Sequence, residues 1–545
     1  MRVAIGLDLG TSAVKAVALN EEGALVAQAG ARYPTVSPQP GWAEQDPADW
    51  RAAAFTALRS LTTALPADAL PHAVALSGQL PTLVLLDAAG KPLRPAIVWY
   101  DGRAHEQAIG FLQRMGAAEW CRRTGIVLDA HYLAPMHAWV AGHEPEVLGH
   151  NQTPLFDSPR LRSGGSAGPT AVGGASFQTM PTEKVLPRTD QRLSGSASPP
   201  IYRLGSAKDA LLHALCGAWR TDPSTASGSG IYNPLTGVWD EELCRVAGID
   251  LGSLPALAQP TALAGGLGPD WIETGMPLGL PVYVGAGDAL TGVLGSGAAT
   301  PGTLAMITGT STSMVVTTAR PVLDPGGRAL LTPHALPALW GSEMDLMATG
   351  SAVRWLEGIL GQPPGTLDTL AAQSVPGARG LLACPYLAGG EQGALWDPQA
   401  PAAFLGFRLH HTGPDLARAL LEGIAFESLR CLLAWSDMKI PVDEVVVSGG
   451  MATPFFAELL AAVLGRPVRL AAGGPSSAVG AALLAGIGAG IWGQEQAMAI
   501  ARRGLGAPVV ADPGEIARYQ ELYAGYERAS AAIRGLGVES RKHGE

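Results

Sequence analysis

Three short segments of the chain carry groups able to move a phosphoryl group. Asp8-Leu9-Gly10-Thr11-Ser12 ends one β run and leads into another at Val14 to Leu19. Gly309-Thr310-Ser311 sits between a run at Leu304 to Ile307 and one through Val315-Val316. A Gly-Thr-Ser tip between two strands offers unblocked amides and two hydroxyls at short range, which suits a polyphosphate. Asp8, just ahead of the first tip, can hold Mg²⁺ directly or through its water shell. One such tip is more often an ordinary hairpin; two copies, one preceded by Asp, favour phosphate. The third segment, Gly285-Ala286-Gly287-Asp288, closes a strand at Val282 to Val284 and opens a helix. A carboxylate there can accept a hydroxyl proton, although a helix N-cap is the commoner role for a lone Asp.

These segments need strands that end together at a cleft. The spacing predicts a hairpin with its turn at Glu22-Gly23 and a return over Ala24 to Ala29. Asp46 as N-cap and Pro47 at the first turn predict a helix, with Trp50, Ala54, Leu58 and Leu61 on one face. Strands are expected at Ala73 to Leu76, Leu83 to Leu86 and Val445 to Val447, and helices over Phe455 to Val463 and Ser476 to Ala485. The recurrence of Gly-Thr-Ser between β runs reads as one hairpin used once in each of two related α/β domains. Residues 151–200, rich in Gly, Ser, Pro and Thr, read as a mobile surface insertion.

A chain of 545 residues is too long for one core, so two domains are expected. A net charge of −10 and the lack of a basic run exclude a nucleic-acid binder. Five scattered cysteines without a CxxC pair fit reduced thiols and a cytoplasmic setting. The stretch Ala478 to Trp492 is apolar but Gly- and Ala-rich, which predicts a buried helix and no membrane span.

In order along the chain, further motifs join these. They are Gly41-Trp42-Ala43-Glu44-Gln45-Asp46-Pro47, Ser77-Gly78-Gln79, Trp99-Tyr100-Asp101-Gly102-Arg103 and Thr221-Asp222-Pro223-Ser224. Gly390-Glu391, Leu421-Glu422-Gly423 and Ser448-Gly449-Gly450 follow. In this succession the sequence resembles the FGGY carbohydrate kinases, most of all their xylulokinase branch. The resemblance implies two actin-like (ribonuclease-H-like) ATPase domains, 1–285 and 286–545, with ATP and a small sugar or polyol in the cleft between them. It implies Asp288 as catalytic base and sugar contact. Gln79, Trp99, Asp101 and Arg103 match the sugar-facing segments. Thr11, Ser12, Lys15, Gly309, Thr310 and Ser311 match the ATP phosphate side, and Gly449 and Gly450 the adenosine side. Mg²⁺ is expected at Asp8, and a homodimer stays open.

The sequence departs from the family at Leu80-Pro81-Thr82, where xylulokinases continue Ser-Gly-Gln with Met-His-Gly. Pro81 brings no side-chain donor to the sugar. D-xylulose is the first expected substrate. Another ketose or polyol, or an actin-like ATP-binding protein without an enzymatic role, is the alternative.

Overall fold

The computed structural model describes residues 1–149, 202–397 and 399–535. The insertion expected at 151–200 therefore lies outside the described residues. Two six-stranded sheets organise the rest.

The first sheet starts with β1 (Arg2–Leu9), β2 (Ala13–Asn20) and β3 (Leu25–Arg32). Helix α1 (Pro47–Ala64) is capped by Asp46, whose side chain accepts from the Ala48 amide, and it buries Trp50, Ala54, Leu58 and Leu61 as the spacing predicts. Strand β4 (Leu70–Gly78), helix α2 (Ala207–Cys216), β5 (Leu263–Gly266) and β6 (Pro281–Gly287) complete the unit. The strand order is β5-β6-β4-β1-β2-β3. The return strand is longer than expected, because Leu25 to Arg32 keep pairing with Ala13 to Leu19 along the hairpin.

Helix α3 (Asp288–Gly295) follows directly. The second sheet contains β7 (Thr303–Thr308), β8 (Thr312–Thr318), β9 (Leu330–Pro333) and β10 (Trp340–Leu346). Next come helices α4 (Gly350–Ile359) and α5 (Gly413–Asp437), and β11 (Glu444–Gly449). Helix α6 (Pro454–Leu464), β12 (Val468–Leu470), α7 (Ser476–Gly488) and α8 (Pro513–Arg534) close the chain. The order is β9-β10-β8-β7-β11-β12. Thus β3-β2-β1-β4-β6 in one sheet repeats as β10-β8-β7-β11-β12 in the other, and the Gly-Thr-Ser tip joins the equivalent strands in each.

Strands β1 and β4 pair in parallel, as do β7 and β11. Parallel strands buried on both faces need near-continuous apolar runs, and Val3-Ala4-Ile5 and Val445-Val446-Val447 supply them. Helices α3 and α7 cross between the sheets. Glycines let their backbones touch: a Cβ on Gly295 would lie 1.9 Å from the Ser476 carbonyl, and one on Gly480 1.9 Å from that of Thr291. The apolar stretch at Ala478 is α7, inside the core shared with Ala4, Val17 and Val446. Among the described residues, no helix is long and apolar enough to cross a membrane.

Candidate active site

The first tip is built on a carboxylate. Asp8 is the next-to-last residue of β1 and is 4% exposed. Burial raises its pKa, opposed by the charge of Lys15 and by the Ser77 hydroxyl. Lys15 stands opposite Asp8 in the β1–β2 register. Ser77, opposite it on β4, donates to Asp8 Oδ1 at 2.7 Å. The tip itself is closed by Gly10 N–H donating to Ala13 O, and by the Tyr33 hydroxyl donating to Gly10 O. Thr11 and Ser12 reach solvent at its end.

Residues expected to face the sugar are tied to this tip. Trp99 Nε1 donates to Thr11 Oγ1 at 3.1 Å. Gln79 Nε2 donates to Gln45 Oε1, and Gln45 Nε2 donates to the Thr11 carbonyl, both at 2.8 Å. Gln79 is buried, and its Oε1 has no partner among the described residues. Asp101 and Arg103 are not a surface ion pair. Both side chains are buried and meet at 2.7 Å. Asp101 also accepts from the Ala43 and Arg103 amides, and Arg103 reaches Glu44 and lies 3.8 Å over the Trp42 ring. Every oxygen of Asp101 is taken by protein donors, so this pair fixes the wall that carries Trp99.

Asp288 sits at the joint of the two halves. It is the first residue of α3, with Gly287 as the cap, and its Oδ1 accepts from the Ala289 amide. Its pKa is pushed well up, first by burial and then by the charges of Asp8 and Glu343. Glu343 and Asp345 lie on β10, and burial raises the pKa of both. Glu343 accepts from Ser313 Oγ at 2.8 Å, two residues past the second tip. Asp288 therefore faces carboxylates from both sheets. Leu80 packs beside it: a Cβ on Gly287 would meet Leu80 Cδ2 at 2.2 Å.

The second tip is held by Gly309 N–H donating to Ser311 O at 2.7 Å. Helix α4 starts against it, with the Thr349 and Ser351 amides donating to Thr310 O. Arg354, exposed on the second turn of α4, reaches Thr310 Oγ1 at 3.3 Å. Gly449 has φ 92°, and a Cβ there would lie 2.0 Å from Thr308 O. A Cβ on Gly450 would meet nothing within 4 Å, so that face is open to a ligand.

Sequence reasoning missed Tyr33, Thr291, Glu343, Asp345 and Arg354, which lie outside the recognised motifs. It quoted Ser77 and Ser224 within motifs but gave them no task. Ser224 accepts from the Gly287 amide at 2.9 Å and donates to Asp222. Asp222 lies 3.3 Å from the buried ammonium of Lys208.

The architecture and the motifs meet known proteins along nearly their whole length. Residues 3–159 and 197–295 match the N-terminal domain of the FGGY family of carbohydrate kinases, and residues 304–489 match its C-terminal domain. The chain is 27% identical over 490 residues to a xylulose kinase of Escherichia coli strain K12, covering 89% of this chain and 90% of the relative. It is 30% identical over 512 residues to a glycerol kinase of Ralstonia nicotianae, covering 92% of each. The structure of a xylulose kinase from Rhodospirillum rubrum superposes with a TM-score of 0.81 at 28% identity, covering 98% of this chain and 99% of that one. This chain belongs to the FGGY family of carbohydrate kinases, with that family's two-domain actin-like fold.

Proposed function

We propose that this kinase transfers the γ-phosphoryl group of ATP to a hydroxyl of a small ketose, with D-xylulose to D-xylulose 5-phosphate as the first candidate. The observation that carries the reading is Asp288: a partly buried carboxylate at the start of α3, faced by acidic groups from both sheets. A carboxylate whose pKa is raised takes a hydroxyl proton more effectively than an ordinary one. As the sugar oxygen bonds to the γ-phosphorus, its proton passes to Asp288 and the bond to the ADP oxygen breaks. Thr11, Ser12 and Lys15 from one tip, and Gly309, Thr310 and Ser311 from the other, hold the phosphates. Gly449 and Gly450 leave room for the ribose and adenine. Gln79 and Trp99 face the sugar, while Asp101 and Arg103 contribute by holding that wall. We place the domain boundary near residue 285, at the end of β6, although the N-terminal family match runs on through α3 to residue 295.

Mg²⁺ fits the chemistry present. Asp8 spends Oδ1 on Ser77, leaving Oδ2 for a cation. Among the described residues no cluster of three ligating side chains offers a full protein cage. A single carboxylate completed by waters and phosphates is how Mg²⁺ binds beside nucleotides, where it neutralises phosphate charge.

A second reading, a kinase for glycerol or another polyol, is favoured by the glycerol kinase relatives and by Leu80-Pro81 in the sugar wall. Sugar-dependent ADP release over pentuloses, hexuloses, glycerol and tetritols separates the two. Highest kcat/KM with D-xylulose supports the first reading, and highest kcat/KM with glycerol or a tetritol supports the second. No sugar-dependent ADP release with any of them overturns both.

A further inference from the structure

Behind Asp8 and Asp288 runs a chain of hydroxyls. Ser77 Oγ, fully buried, donates to Asp8 Oδ1 at 2.7 Å and lies 2.8 Å from Thr291 Oγ1. Thr291, also fully buried, lies one helical turn into α3, and its Oγ1 is 3.1 Å from both the Gly287 and the Asp288 carbonyl oxygens. Ser477 on α7 donates to the same Asp288 carbonyl at 3.0 Å. The amide side of the turn is fixed separately, through Gly287 N–H and Ser224 Oγ.

The proton count makes this chain directional. Ser77 has one proton, and an ionised Asp8 takes it. Ser77 Oγ is then an acceptor, and the single Thr291 proton is shared between it and two carbonyls. A buried hydroxyl so placed holds three groups at fixed separation, since leaving any one unpaired costs free energy. Asp8 lies on β1 and Asp288 on α3, and among the described residues no other hydrogen bond ties Asp8 to α3.

We propose that Ser77 and Thr291 are positioning residues of the transfer reaction. They lock the turn that carries Asp288 to the strand that carries Asp8, with Ser477 pinning the same turn from α7. This inference rests on the kinase reading above. Neither hydroxyl touches substrate; both act through the carboxylates.

The test uses the full chain with Thr291→Val, Thr291→Ser, Ser77→Ala and the Ser77→Ala/Thr291→Val pair. Three quantities are read for each: kcat, KM for ATP, and amide hydrogen exchange of residues 288–292. The expected result is a fall in kcat of roughly 10- to 100-fold for Thr291→Val, since small misplacement of a reacting group carries that cost. KM for ATP stays within about two-fold of the parent. Exchange at 288–292 speeds up. Thr291→Ser, which keeps the hydroxyl, restores both quantities, and the pair is no worse than the worse single change. Multiplying effects in the pair, or Thr291→Val with parental kcat, overturns the proposal. An unmodified protein without sugar-dependent turnover defeats the kinase reading instead. Exchange at 288–292 then still decides whether the hydroxyls hold the turn, and unchanged exchange in Thr291→Val sinks that too.

Discussion

The two Gly-Thr-Ser tips occupy equivalent places in equivalent sheets, yet their surroundings differ. Two residues before the first tip stands Asp8, paired across the sheet with Ser77. Two residues before the second stands Ile307, paired in the same register with Ser448. Ser77 has an acceptor in Asp8 and a neighbour in Thr291. Ser448 Oγ, equally buried, has no partner among the described residues. Ile307 instead packs against Gly292 of α3, where a Cβ would meet its Cδ1 at 2.5 Å. One copy of the motif thus carries charge with a built-in polar shell, and the other carries packing. A repeated backbone supplies the amides twice, and side-chain divergence gives a carboxylate to the first copy and an apolar contact to the second.

The largest effect that can break this division is at Asp288. Asp288→Asn keeps the shape and loses the proton acceptor, so kcat falls by roughly two to four orders of magnitude. ATP affinity by calorimetry stays near the parent value. Near-parental turnover would falsify the assignment of the base. Asp8→Asn lowers turnover less, and raised Mg²⁺ or substituted Mn²⁺ recovers part of it, because the lost group serves the cation. Turnover against metal concentration reads this; a loss indifferent to metal places Asp8 outside the cation site.

The reciprocal change sharpens the comparison. Ile307→Asp copies Asp8 into the second tip, but without a cation opposite it or a space beside α3. A buried unpaired carboxylate of this kind destabilises by about 3 kcal/mol, seen as a lower denaturation midpoint. A variant as stable as its parent would mean that the second tip tolerates charge as the first does.

Much of this was legible in the sequence, for physical reasons. The tips, Asp8, Asp288 and the capped helix at Asp46 are local signals, and Trp50, Ala54, Leu58 and Leu61 fall on the buried face that their period dictates. The motif order carried the family. What stayed hidden depends on contacts between residues remote in the chain. Asp101 and Arg103 matched the sugar-facing segments, but their pairing with each other and with Ala43, Glu44 and Trp42 was hidden because those neighbours arrive from about sixty residues away. The carboxylates of β10 gave no signal, since alternation of Glu343, Asp345 and apolar residues reads as an ordinary half-buried strand.

Those β10 carboxylates have a relative behind them. Glu391 is buried and accepts from the Met347 and Gln392 amides, and burial pushes its pKa up to about 8 from an ordinary 4.5. Between those two values the folded state binds more protons than the unfolded state. Stability contributed by neutral Glu391 is therefore full below about pH 4.5 and is lost as the pH rises through about 8. Glu391→Gln keeps the polar shape without the charge. Denaturation midpoints from pH 5 to 9 should decline less steeply in this variant than in the parent. Parallel declines would show that Glu391 is already ionised across the range.

The smallest expected effect tests the comparison at its most specific point, the paired serines. Ser77→Ala removes a donor to a buried carboxylate and one of the Thr291 hydroxyl's three neighbours, which costs about 1–3 kcal/mol of stability. Ser448→Ala removes a buried hydroxyl that has no partner among the described residues. Nothing is left unpaired by its loss, so stability changes by at most about 0.5 kcal/mol, in either direction. Midpoints in urea for the two variants, at unchanged slope, give the two values side by side. Equal costs would mean that Ser448 holds something the protein alone does not show, such as an ordered water bridging to the Gly449-Gly450 turn. Calorimetry with ATP then decides whether that group belongs to the nucleotide site, because a hydroxyl engaged by ribose would lower affinity on removal while Ser77→Ala would not.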